Sequence, residues 1–140
     1  MSKKIVKIVF WCLTFLMLTA CIDKQVPPKA RSFIDQYFPG TSVILVEKEL
    51  EDGVLHLNVW LSDGTRAEFD LQGNWERVAR KKTGVPQKLI PPAIMTYVKE
   101  NYPGDVPTKF SKKPYGYKVE LSDDMDLRFT HSGHFIEEID

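Results

Sequence analysis

The side chains best suited to acid–base, metal or nucleophilic chemistry are few: three histidines, nineteen acids and two cysteines among 140 residues. His131-x-x-His134 is the closest pair of imidazoles. Beside Asp123, Asp124 and Asp126 it could supply the mixed nitrogen and oxygen donors of a surface metal site. The two histidines flank Gly133 instead of lying one helical turn apart, and no His-Glu-x-x-His segment occurs. Polar decoration of a hairpin is therefore the expected reading, with metal ligation by His131 and His134 left open. The paired acids Glu47/Glu49 and Glu137/Glu138 fall on presumed strand edges and ends, where solvation accounts for them. Asp70-Leu71-Gln72-Gly73-Asn74 lacks the alternating oxygen ligands and distal Glu of a calcium loop, and reads as a turn. There is no glycine-rich phosphate loop, no Gly-x-Ser-x-Gly elbow and no Ser/His/Asp arrangement. The expectation is a protein that is no enzyme and uses no cofactor and no metal.

The cysteines belong to a different chemistry. Residues 1–7 carry Lys3, Lys4 and Lys7 without an acid, and residues 8–18 are apolar apart from Thr14. Such a run is too short for the ~20 residues of a membrane-spanning helix but has the layout of a secretory signal. It closes on Leu18-Thr19-Ala20-Cys21, which resembles the lipobox of bacterial lipoproteins. That resemblance implies a diacylglycerol on the Cys21 thiol and cleavage before it. The expected order is thus a signal peptide over 1–20 and a tether over 21–26. The acyl chains would hold the protein in a membrane, each buried methylene contributing ~0.8 kcal/mol. Cys12 would leave with the leader, so the mature chain would hold no free thiol or disulfide. The leader also accounts for the balanced charge of the whole. Of 19 basic residues it takes three, leaving 16 against 19 acids. A mildly acidic domain has no electrostatic footprint for nucleic acid.

Two stretches must position whatever the domain uses, because the sequence from Pro27 onward repeats. Pro27-Pro28, Phe33, Ile34, Phe38, Pro39 and Gly40 align with Pro91-Pro92, Tyr97, Val98, Tyr102, Pro103 and Gly104. Further on, Val59, Leu61-Ser62-Asp63, Phe69, Gly73 and Trp75 align with Val119, Leu121-Ser122-Asp123, Phe129, Gly133 and Phe135, four residues earlier in register. Ala30, Phe33, Ile34, Tyr37 and Phe38 form a helical stripe, opened by prolines and stopped by Pro-Gly. After Val43–Val46 the period drops to two. Leu55, Leu57, Val59 and Leu61 alternate with His56, Asn58 and Trp60, and Asp52-Gly53 and Asp63-Gly64 supply turns. The second stretch predicts strands over 106–112, 115–121, 126–130 and 134–139. The expected fold class is α+β, a tandem repeat of a helix packed on an antiparallel sheet of about four strands, with repeats over 27–82 and 83–140. Arg80-Lys81-Lys82-Thr83-Gly84 would link them.

The helix ending Tyr-Phe-Pro-Gly, the strand ending Leu-Ser-Asp-Gly-Thr, then Glu68-Phe69-Asp70, Gly73-Asn74-Trp75 and Val85-Pro86 resemble the PepSY-like, β-lactamase-inhibitor-like domain family. The resemblance implies the same fold and a non-catalytic role in a bacterial, Bacteroidota-type envelope lipoprotein. The leader and lipobox imply an exported chain, lipid-anchored at the outer membrane. The tether Ile22-Asp23-Lys24-Gln25-Val26 lacks the acidic run found where Bacteroidota send lipoproteins to the surface, which points to the periplasmic face. In the second stretch Asp124 stands for Gly64, and Thr130 to His134 stand for Asp70 to Asn74. What remains for function is surface. Trp60 falls on the strand face opposite Leu57 and Val59. The first hairpin is the longer by four residues and carries Glu49, Leu50, Glu51 and Asp52. These five residues are the expected protein-binding surface, with another exported protein as partner.

Overall fold

A computed structural model describes residue 22 and residues 24–140; the predicted leader and Cys21 lie outside the described residues. Among the described residues no helix is long and apolar enough to cross a membrane. The predicted tether ends in the fold itself, for Val26 is buried in the core.

Prolines at the first turn open two helices, α1 (Pro28–Tyr37) and α2 (Pro92–Asn101). A first-turn residue has no intrahelical acceptor for its N–H, so proline loses nothing there and presets φ. The last turns close by Phe38 N–H on the Ile34 carbonyl and Tyr102 N–H on the Val98 carbonyl, both at 2.8 Å. The predicted change of period is realised as eight strands. They are β1 (Val43–Glu51), β2 (Val54–Leu61), β3 (Arg66–Phe69), β4 (Trp75–Ala79), β5 (Pro107–Lys113), β6 (Gly116–Leu121), β7 (Asp126–Thr130) and β8 (Phe135–Ile139).

These strands form one antiparallel sheet in chain order, β1 to β8. The expected tandem repeat, two units each with a helix on its own four-stranded sheet, is not what forms. β4 pairs directly with β5, placing Arg77 opposite Ser111, Val78 opposite Phe110 and Ala79 opposite Lys109. A separate four-stranded unit would expose the hydrogen-bonding edge of β4, and joining the strands satisfies it. Side chains also cross the junction. Phe110 lies between Trp75 and Tyr117, its ring centroid 5.5 and 5.1 Å from theirs. Phe33 of α1 stacks on Trp75 at 5.8 Å, while Tyr97 of α2 meets Phe129 and Phe135. One hydrophobic core therefore runs under both helices.

Of the predicted linker, Lys81, Lys82 and Thr83 are exposed, and it is the segment just after it that packs. The Val85 N–H donates to the Pro107 carbonyl at 2.8 Å, and Val85, Leu89 and Ile90 are buried. At the opposite end Gly73, with φ +89, lies against the first turn of α1. A Cβ there would come within 2.9 Å of the Ala30 nitrogen.

Because Phe110 is fully buried where the two halves meet, its loss should be felt throughout. Phe110→Ala is expected to cost ~3–5 kcal/mol. In urea the variant should shift the whole unfolding curve, with fluorescence and far-UV circular dichroism still coincident. Separate transitions for the two halves would contradict a shared core.

Candidate functional site

Both helices pack on the same sheet face, where Phe69, Phe110 and Phe129 lie beneath them. The opposite face carries Trp60, Glu49 and Glu51 among the functional candidates, whereas Leu50, paired with Leu55, is in register with Leu57 and Val59 and turns to the helix-covered side. The first feature is the β1–β2 hairpin, turned by Asp52 and Gly53 at φ 51 and 78. Two successive positive φ values match the twist of the strands they join, which is why an Asp-Gly pair sits there. Pairing between β2 and β3 ends at Leu57–Phe69, whereas β1 and β2 continue to Glu51–Val54. The tip consequently overhangs the sheet as a two-stranded ribbon. Leu50, Val54 and Leu55 on it are 68%, 55% and 43% exposed. Glu51, Asp52 and Glu49 are exposed beside them.

Trp60 lies on this helix-free face as expected, half-buried, with the Arg66 guanidinium 5.2 Å above its ring. Arg66 also donates to Asn58 Oδ1 at 3.1 Å and to Glu49 Oε2 at 3.2 Å, and Asn58 donates to the same Glu49 oxygen at 2.5 Å. The structure thus joins Glu49 to Trp60 through Arg66, which Asn58 braces. Leu50, Glu51 and Asp52 stand apart from them at the ribbon's tip.

A second cluster lies further along the face, where sequence reasoning did not place one. His56 Nδ1 donates to Glu76 Oε2 at 2.6 Å and lies 3.9 Å from Glu68 Oε1. Glu68 is buried, and its other oxygen accepts from Arg77 Nη1 at 3.3 Å. Strict alternation backward from buried Val78 would turn Glu76 toward the core. A bulge prevents this: Phe69 pairs with Trp75 and Glu68 with Arg77, leaving Glu76 as the extra residue. An extra residue in a strand re-aims its side chain, and here it delivers a carboxylate to the histidine. Neither the bulge nor the cross-strand pairing is visible in the local period. The three residues line a cleft of about 400 Å³ with Ser111, Lys113 and the ribbon's Glu51. The hydrogen bond to Glu76 raises the His56 pKa against the opposing effect of burial, and the charges of Glu76, Glu68 and Glu51 add to the rise. Burial lowers that of Lys113, with Arg77 and Lys118 acting in the same sense.

The other candidates are separated or already engaged. Asp123 and Asp124 lie at one end of β7 and His131 and His134 at the other, so the sequence-proposed donor set does not assemble. His131 Nε2 meets the Pro114 carbonyl at 3.0 Å, and His134 Nδ1 meets Ser132 Oγ at 2.8 Å. Asp70 spends one oxygen on the Gln72 and Asn74 amides and the other on the Asn74 side chain. Glu137 is held by Arg128, and Glu138 accepts from the Tyr102 hydroxyl.

Residues 55–137 match the family described as "Putative beta-lactamase-inhibitor-like, PepSY-like". The chain belongs to this family. Among solved structures it is similar to a "putative periplasmic protein of unknown function" from Bacteroides vulgatus, at 30% identity and a TM-score of 0.78, over 84% of this chain and 94% of that one. A "putative calcium-regulated periplasmic protein" from Bacteroides thetaiotaomicron is 35% identical, with a TM-score of 0.77 over 84% and 92% of the two chains. A third, a "putative periplasmic protein" of the DUF2874 family from Bacteroides vulgatus, is 30% identical with a TM-score of 0.74 over the same shares. No curated protein matches the chain significantly. This PepSY-like chain is accordingly an exported protein, and the family is not one of known enzymes.

The His56–Glu76 pair makes stability depend on pH in a stated direction. A pKa raised on folding stabilises fully below the unfolded histidine value and ceases to do so as pH rises through the folded one. In chelator-treated buffer, Glu76→Gln should therefore lower the melting temperature at about pH 6 and have a smaller effect at about pH 9. The His56 ring titration followed by NMR should move to lower pH in the variant. An equal loss at both pH values, with an unmoved titration, would show that the pair is not coupled.

Proposed function

We propose that this PepSY-like chain is a non-catalytic envelope lipoprotein, held by an acylated Cys21 at the outer membrane facing the periplasm, which binds and restrains another exported protein. The observation that carries the reading is the overhanging β1–β2 ribbon. Leu50, Val54 and Leu55 are exposed beyond the reach of the core, next to Glu49, Glu51 and Asp52. Apolar side chains on a two-stranded overhang give the fold little stability of their own, whereas inserted into a partner each can contribute more than about 1 kcal/mol. The mixed chemistry of the tip suits a groove on the partner lined by apolar and basic side chains. Trp60, flanked by Arg66 and the exposed Leu45, lies at the other end of the hairpin on the face that Glu49 and Val54 share, while Leu50 and Leu55 turn to the ribbon's other side. The family's description supports an inhibitory form of binding and names no target for this chain.

A photo-crosslinking residue at position 50 tests this in cells. It should give one protein adduct that is absent when the residue is placed at Glu100, exposed on α2. The adduct's protein, purified, should bind the wild-type domain and lose at least about tenfold in affinity on Leu50→Asp or Glu49→Lys. Adducts equal at both positions, or affinity unmoved by both substitutions, would remove the proposal. Cys21→Ser is expected to move the protein from the membrane to the soluble fraction, because a signal sequence alone leaves no stable anchor.

A further inference from the structure

We propose that His56, Glu68 and Glu76 form a binding site for a divalent transition metal of the zinc class. Their ligand atoms, one imidazole nitrogen and two carboxylate oxygens from β2, β3 and β4, all lie within 4.8 Å of one another. Zinc at ~2.1 Å from each of two ligands sets them ~3.4 Å apart. That separation falls between the 2.6 and 3.9 Å observed from His56 Nδ1 to Glu76 and Glu68. Small side-chain movements therefore suffice to admit an ion. The donor set selects the metal class. Imidazole with carboxylate suits zinc and its neighbours, whereas calcium takes an all-oxygen shell.

A second, independent feature faces the same cleft. Ser111 is 1% exposed, and its Oγ has no hydrogen-bond partner. A buried hydroxyl left unpaired is costly, and a water completing the coordination of a three-ligand metal would satisfy it. Arg77 occupies the Glu68 oxygen that points away from His56, which fixes the carboxylate with its remaining oxygen toward the site. The charge balance also permits a cation. Four acids and three basic residues line the cleft, and one of those basic residues, Arg77, is already paired. Binding displaces the proton that His56 now shares with Glu76.

The site is tested by titrating zinc alone into the chelator-stripped protein, with calcium as the comparison. One zinc per chain should bind, and the His56 ring signals should shift while those of His131 and His134 stay. His56→Ala and Glu76→Gln should abolish binding, Ser111→Ala should weaken it ~10–100-fold, and a His131→Ala/His134→Ala variant should bind like wild type. The NMR readout needs no substitution, so a variant that fails to fold leaves the test intact. No zinc binding, binding lost only in the His131/His134 variant, or calcium binding in place of zinc would each overturn the proposal.

Discussion

The pairing of β4 with β5 is the contact on which the rest of the molecule depends. It is short, with three residue pairs in register, and it is reinforced where Arg80 N–H reaches the Thr108 carbonyl at 2.9 Å. Its consequences are larger than its length. It turns two four-stranded segments into one sheet, lets Phe110 fill the space beside Trp75, and brings Ser111 and Lys113 to the cleft around His56. Without it, the cleft would lose the wall that β5 supplies.

The sheet divides its two faces between two kinds of work. The helix-covered face holds the apolar core. The other is laced by cross-strand pairs, including Lys109–Glu120 at 2.7 Å, Lys118–Asp126 at 2.8 Å and Arg128–Glu137 at 2.7 Å. Arg128–Glu137 is exposed and the other two are half-buried; a solvent-exposed pair contributes only ~0–1 kcal/mol, so the open parts of this face can differ without endangering the fold. That freedom is what makes a bulge at Glu76 and an overhanging ribbon tolerable there. Both depart from regular pairing, and both lie where a departure leaves the core intact.

Much of the local structure was legible in the sequence because it is encoded locally. Paired prolines set the helix starts, alternation around Leu57, Val59 and Leu61 set a strand, and Asp52-Gly53 set a turn with two positive φ values. The number of folded units was not legible. Similarity between two stretches says nothing about whether the last strand of one pairs with the first strand of the other. The His56 cluster was hidden for a related reason. Its members lie on three strands and meet through register, and Glu76 faces His56 only because the ladder slips by one residue at Glu68/Phe69. Conversely, His131 and His134 are close in sequence to Asp123 and Asp124, yet β7 separates the two pairs.

If β4–β5 is the contact that unites the molecule, its amides should open only when everything opens. Native-state hydrogen exchange measures this residue by residue. Exchange at Val78, Arg80 and Phe110 should require the same free energy as global unfolding and match that of the central residues of β2 and β6. Rapid exchange along β4 and β5, with β2–β3 and β6–β7 still protected, would show two separately stable halves and contradict the account.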